Sequence, residues 1–406
     1  MDKNKILLAL VFTGATIGIG FALYFFFFRG SPIEPVLTDT ENPTEIGELP
    51  ASESSNGIFG FGDSNTTTNE DGSLPISEIA QGGPTKTQLV TPSATLGLTI
   101  NPNGNLQYYD ANNGTFYTLD DTGNPRQLTD DKFFNVQKLS WSPDAKKVAL
   151  EFPDSYNIIY DLETKKQVTL PTHWSNFNFS KTGEKIAAFS SGLNDNQNWL
   201  LSLNSDGTQA KGIEPLGKNA DKVEISWSPG SEVIAFSKTG DPVGGESQEI
   251  YILGQNGENN KSLIVDGYGF KPKWFPDGKQ LMYTTYSSRN EYRPSLWVVN
   301  AQGSQVGANP REIKLNTWIE KCTTVDATSI ICAVPNEMPK GAGFSPKVTD
   351  DIPDTFYKID TISGNKTLLA VPENTTSAEE LQVSPDGKEL YYKNKLGNVV
   401  EKIQLK

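Results

Sequence analysis

The phrase "LSWSPDAKKVAL" at residues 139–150 returns as "ISWSPGSEVIAF" at 225–236, "PKWFPDGKQLMY" at 272–283 and "LQVSPDGKELYY" at 381–392. A weaker copy, "FNFSKTGEKIAA", occupies 177–188. Self-similarity at a period of some 38 to 59 residues restricts a chain to a repeat architecture more tightly than any composition does. Each copy reads as strand, tight turn, strand. Apolar residues alternate before the turn (Leu139, Trp141) and β-formers follow it (Val148, Leu150). Between them Pro presets φ at the first corner, Ser and Asp side chains bond nearby amides, and a closing Gly supplies positive φ.

Two further strands complete each unit, as in "NIIYDLETKKQVTL" at 157–170 and "EIYILGQNGENNKSLIV" at 249–265. Four short antiparallel strands per unit are a β-propeller blade. Inner turns near Pro102, Pro143, Lys181, Pro229, Pro276, Asp326 and Pro385 predict seven blades. The last unit ends one strand short at Lys406, whereas "KTQLVT" at 86–91 resembles a fourth strand with no blade before it. The economical solution is ring closure, with the strand near Gln88–Val90 completing the last blade and removing an exposed edge. The expected fold is all-β: a seven-bladed propeller of four-stranded antiparallel blades over residues 85–406. Gly- and Pro-rich, aromatic-rich composition agrees with many short strands and turns.

The phrases "SWSPDAKKVAL", "SWSPGSEVIAF" and "KWFPDGKQLMY" resemble TolB-like propeller repeats (WD40-like, PD40-type), which also occur in the propellers of prolyl-oligopeptidase-type peptidases. The resemblance spans Lys86–Lys406, is weak at 177–188 and nearly vanishes in "KCTTVDATSIICAV". It implies architecture, and by analogy an extracytoplasmic platform for protein docking. TolB propellers typically have six blades, so a count of seven departs from the pattern.

Residues 1–5 read as a cytoplasmic tip. Ile6–Phe28 runs without a charge, and at about 1.5 Å per residue it covers roughly 35 Å, enough to span a hydrocarbon core. It ends in "YFFFFRG", bulky where a signal peptidase needs small residues, so an uncleaved transmembrane anchor is expected. Lys3 and Lys5 precede it and only Arg29 follows, which places the N-terminus in the cytoplasm and the remainder outside a cell membrane, as a single-pass protein. Gly14, Gly18 and Ala22, spaced by four, form a small-residue face suited to a homodimer of anchors. Residues 29–84 read as an acidic, disordered linker. Gly30–Thr85 holds ten Asp or Glu and no Lys or Arg.

A formal net charge of −14 argues against nucleic acid as a partner. His173 is the only histidine; a Ser-His-Asp triad would have to use it, yet no G-x-S-x-G elbow exists. One His and two Cys argue against a zinc site, and no cofactor is expected. Carboxylates paired at the channel mouth keep a glycan-binding or glycan-cleaving propeller as the alternative function. Cys322 and Cys332 flank the turn "VDATS" and fall opposite each other in a hairpin, within reach of a disulfide; two buried thiols are the other reading.

The longest insertions, 190–198, 238–248, 286–294 and 335–355, all read as loops from second to third strand. In a propeller these share one face with the blade-to-blade connections, which add Phe134, Trp174, Phe270 and Trp318. Insertions gathered on one face of a repeat array mark a binding face. The candidates there are Trp174, Phe270, Arg289, Tyr292, Arg293, Trp318 and Phe344, residue types favoured as interface anchors. The expected function is a membrane-anchored scaffold that docks a protein partner, without catalysis.

Overall fold

A computed structural model describes residues 75–406 except Asp121 and Asn259. The expected anchor 6–28, the Gly14, Gly18, Ala22 face and the linker up to residue 74 lie outside the described residues. Among the described residues no helix is long and apolar enough to cross a membrane.

Seven antiparallel sheets follow one another along the chain. Blade 1 comprises strands 95–100, 106–110, 115–119 and 125–127; blade 2, 138–141, 147–151, 157–161 and 166–170; blade 3, 174–179, 185–190, 199–204 and 211–215. Blade 4 comprises 223–225, 233–237, 247–254 and 263–266; blade 5, 268–274, 280–286, 294–300 and 311–312; blade 6, 322–324, 329–335, 354–360 and 366–372. Blade 7 takes three strands, 378–383, 389–394 and 399–404, from the C-terminus, and its fourth, 88–91, from the other end of the described chain. Gln88 pairs with Lys402 and Thr91 with Val400, so the ring closes through an antiparallel seam.

The described N-terminal segment does more than close blade 7. Pro84–Thr85 adds in parallel to Val371–Pro372 as a fifth strand of blade 6, Ser77 bridges Thr85, and Ile79 bridges Gln404. The expected linker boundary at residue 84 is therefore too late by several residues. Polar, Pro-containing composition reads as unstructured, but unpaired outer-strand edges recruit its backbone groups regardless of side chain.

Seven hydrophobic clusters hold the ring, one at each blade interface. Tyr109 and Phe116 of blade 1 pack on Val148, Leu150 and Tyr160 of blade 2, and so on round to blade 7, where Tyr391 and Val400 meet Leu98 and Leu106 of blade 1. Middle strands are covered on both faces by neighbouring blades, which explains burial patterns such as BBBBB along 106–110.

The recurring phrase has a specific physical role. The indole N–H of its Trp donates to the inner strand of the preceding blade: Trp141 to Gly97 O (2.6 Å), Trp227 to Asn178 O (2.9 Å) and Trp274 to Ser226 O (3.2 Å). The turn then folds on itself. Ser142 Oγ donates to Asp144 (2.5 Å) and accepts from Lys147 N (2.8 Å). The turn's positive φ falls on Gly278 and Gly387 as expected, and on Ala145 and Ser231 where glycine is missing.

Candidate functional site

Strand order puts the loops 191–198, 238–246, 287–293 and 336–353 on one face, each between a second and a third strand. The connections entering each inner strand share that face. Every one of these loops carries an apolar side chain on the surface: Leu193, Val243, Phe344 and Val348 are exposed, and Tyr292 is half-buried.

The blade 5 and blade 6 loops are built into one another. Gly341 N donates to Glu291 O and Gly343 N to Tyr292 O, both at 2.8 Å. Glu291 and Tyr292 both sit at positive φ (52° and 56°), which turns the loop tip sharply enough to offer those carbonyls. Arg293 Nε donates to Met338 O (2.8 Å), and its Nη1 pairs with Glu291, which also pairs with Lys340. On this braced base four rings cluster. Tyr286 lies 4.8 Å from Phe344, Tyr292 lies 5.0 Å from Phe344, and Tyr268 lies 6.3 Å from Tyr286, centroid to centroid. Gly343 approaches Tyr286 so closely that an added Cβ would stand 2.4 Å from the ring's own Cβ. Phe344 remains 64% exposed.

Charge frames the rings. Ser288 Oγ and N both donate to Glu246 (2.7 Å each), and these bonds hold its carboxyl below the usual range. The Glu246 charge in turn raises the Tyr292 hydroxyl, while burial raises Tyr286. Lys340 is the main reason Glu291 is held low.

Tyr292 and Phe344 meet in this cluster and Arg289 stands beside it, ion-paired to Asp266 of blade 4. Three expectations need correction. Phe270 is wholly buried between blades 4 and 5, because the inner strand begins at Tyr268 and turns Phe270 inward. Trp318 is 6% exposed, tucked under the blade 6 connection. Arg293 faces inward and staples two loops, so it is a brace and not a loop-tip anchor. Trp174 opens the blade 3 inner strand, half-buried against the blade 2–3 core, two blades from the cluster. Phe134 is exposed, at the blade 1–2 connection. Tyr268 and Tyr286 escaped sequence reasoning because both sit at strand ends, where an aromatic reads as core; their signal was position at a strand–loop junction.

A cavity of about 440 Å³ opens at the inner strands, lined by Lys138, Glu151, Asn176, Glu224 and Glu380 among others. Glu151 and Glu380 are tied to neighbouring blades. Glu380 accepts from Leu98 N (2.8 Å) and Glu151 from Asn176 N (3.0 Å), while Lys138 Nζ donates to Asn176 Oδ1 (2.9 Å). Both donating amides lie at inner-strand bulges, where Gly97 and Asn176 adopt positive φ. Burial raises the Glu380 carboxyl, and Lys393 opposes that shift.

Cys322 and Cys332 are directly opposed in the blade 6 hairpin and joined as a disulfide, both fully buried.

No family model matches the chain, and no curated protein matches it by sequence. Solved structures do match by fold. The β-propeller domain of Cps50 (Swd1) from Myceliophteria thermophila aligns with TM-score 0.52 at 12% identity, over 79% of this chain and 100% of that one. An oligogalacturonate lyase in complex with manganese aligns with TM-score 0.50 at 13% identity, over 79% and 93%. At such identities the likeness shows the propeller fold alone.

Proposed function

We propose that this chain is a protein-docking module: a propeller carried outside the cytoplasm on a membrane anchor at residues 6–28, presenting its long-loop face to a partner protein. The observation that carries this reading is the cluster of Tyr268, Tyr286, Tyr292 and Phe344 at the base of two mutually braced loops, with Tyr268 and Phe344 exposed and the other two half-buried. Rigid aromatics on a pre-organised base lose little entropy on binding and are the favoured anchors of protein interfaces. Exposed Leu193 and Val243 extend the apolar surface around the same face. The Cys322–Cys332 bond fits an oxidising, extracytoplasmic compartment, and the TolB-like resemblance points the same way. The reading is of a binding module without catalysis: the channel-mouth carboxylates Glu151 and Glu380 are engaged with backbone amides.

The test is crosslinking capture from the native membrane, comparing wild type with Tyr292→Ser/Phe344→Ser. Hot-spot truncations cost roughly 1 to 4 kcal/mol each, so partner recovery should fall at least tenfold while the melting temperature stays nearly constant. Equal recovery by the variant would place the docking surface elsewhere.

A further inference from the structure

The platform of the four rings carries its charges unevenly. Towards blade 6, Glu291 is shared by two cations, Arg293 and Lys340. Towards blade 4, Arg289 is spent on Asp266, and Glu246 forms no ion pair among the described residues. Its carboxylate is nonetheless held in place, because Ser288 N and Oγ both donate to Oε2 at 2.7 Å in bonds open to solvent. Those two bonds, with a smaller contribution from the Tyr292 hydroxyl, keep the group ionised. Gly267 N donates to Glu246 O (3.2 Å), which brings the loop end beside the exposed Tyr268. A fixed carboxylate without a cation of its own therefore stands next to two tyrosines of the cluster. The face of a tyrosine ring attracts an ammonium or guanidinium, and a carboxylate beside it adds a direct ion pair.

We propose that the partner docks a lysine or arginine side chain against Glu246 and its neighbouring rings, Tyr268 and Tyr292. This rests on the protein-docking reading and names the chemistry of the segment that docks. An apolar side chain seated there would strip water from Glu246 without replacing its bonds, which is costly. An acidic one would meet a like charge. The net charge of −14 draws a basic surface at long range. The doubly paired Glu291 leaves the other side of the rings positive, so a cation is steered to the Glu246 side. The exposed Phe344 then offers the adjoining position to an apolar neighbour of that cation.

The full chain, held in detergent micelles with isotope-labelled tyrosine rings, is titrated with three capped peptides and read by NMR. The peptides are Ser-Tyr-Lys-Tyr-Ser and its versions with Gln or Glu at the centre. The Lys peptide should move the Tyr268 and Tyr292 signals saturably and bind about fivefold more tightly than the Gln peptide, the combined worth of one exposed ion pair and one cation–π contact. The Glu peptide should bind most weakly. Glu246→Gln keeps an acceptor for Ser288 and removes the charge; it should bring the Lys and Gln peptides to within about twofold of each other, with the melting temperature unchanged. Salt gives a second reading that needs no variant: at about 1 M, where charges act over only about 3 Å, the same preference should shrink in the wild type. Equal binding of the three peptides, or a Lys preference that survives both Glu246→Gln and high salt, overturns the inference. The docking reading would still stand in that case, since apolar ring contacts would suffice. Absence of any saturable shift also overturns it, while capture with Tyr292→Ser/Phe344→Ser decides the docking reading separately.

Discussion

Blades 2 and 6 solve the same problem with different materials. Each must tie the start of its third strand to the inner strand of the next blade. In blade 2 the neutral Asn157 does so, donating from Nδ2 to Trp174 O at 2.7 Å. In blade 6 the equivalent position is Asp354, which accepts from Ala378 N at 2.6 Å and pairs with Lys321 Nζ at 2.6 Å. Both members of that ion pair are buried. Blade 2 has the intact turn phrase and the Trp141 indole bond. Blade 6 has neither. Its inner hairpin is held by the Cys322–Cys332 bridge and an Asp326 side chain bonded to Thr328 N (2.8 Å), and its outer edge by residues 84–85 from far along the chain. The blade that abandoned the repeat is the one that carries the long loop 336–353. Local sequence signals stabilise a plain blade; a blade modified for a loop platform draws on buried charge, a covalent bond and a distant strand.

The largest expected effect tests the distant strand. Deleting residues 76–91 removes the outer strand of blade 6 and the closing strand of blade 7, and should lower the melting temperature by on the order of 10 °C, a loss of several kcal/mol at roughly 1 to 2 °C per kcal/mol in a domain this size. Hydrogen exchange should show amides of blades 6 and 7 opening first and those of blade 2 last. Uniform exchange, or a truncation that melts like the parent, would break the contrast.

Next comes the ion pair. Asp354→Ala leaves Lys321 charged and buried without its partner, which costs about 3 to 5 kcal/mol; Asn157→Ala in blade 2 removes a neutral tie worth about 1 kcal/mol. Burial pushes the Asp354 carboxyl up and Lys321 pulls it back, so the pair is retained at a cost in desolvation. Accordingly, Lys321→Met with Asp354→Asn, which keeps an acceptor for Ala378 N, should recover most of the loss. Urea midpoints of the four proteins measure this directly, and equal losses for the two alanine variants would show that the blades are held alike.

The smallest effect sharpens the role of the repeat. Trp141→Phe keeps a ring in the blade 1–2 core but leaves Gly97 O without its donor, for roughly 1 to 1.5 kcal/mol. The same exchange at Trp227 should cost a similar amount, since Asn178 O is bound in the same way. If both are silent, the indole is only a space-filler and the phrase owes its recurrence to the turn.

The candidate site was less legible than the fold. The four insertions were readable from the repeat register, because loop placement follows strand count. Tyr292 and Phe344 were readable as exposed loop aromatics. Phe270 and Trp318 were misplaced because one residue of register decides whether a side chain next to an inner strand faces solvent or the neighbouring blade. Arg293 was misread because its partner, Met338 O, lies on a different blade.

Read by itself, the sequence determined the seven-fold repeat, the four-stranded unit and the closing strand, because alternation, turn chemistry and period are local properties written within a dozen residues. It also set Cys322 opposite Cys332, since a hairpin's register is set by its own turn. Only the tertiary structure decided which rings cluster, which arginine is a brace, and which carboxylates tie one blade to the next. Those outcomes depend on contacts between blades, and the period of the repeat sets how many blades there are but not which side chains face each other across a seam.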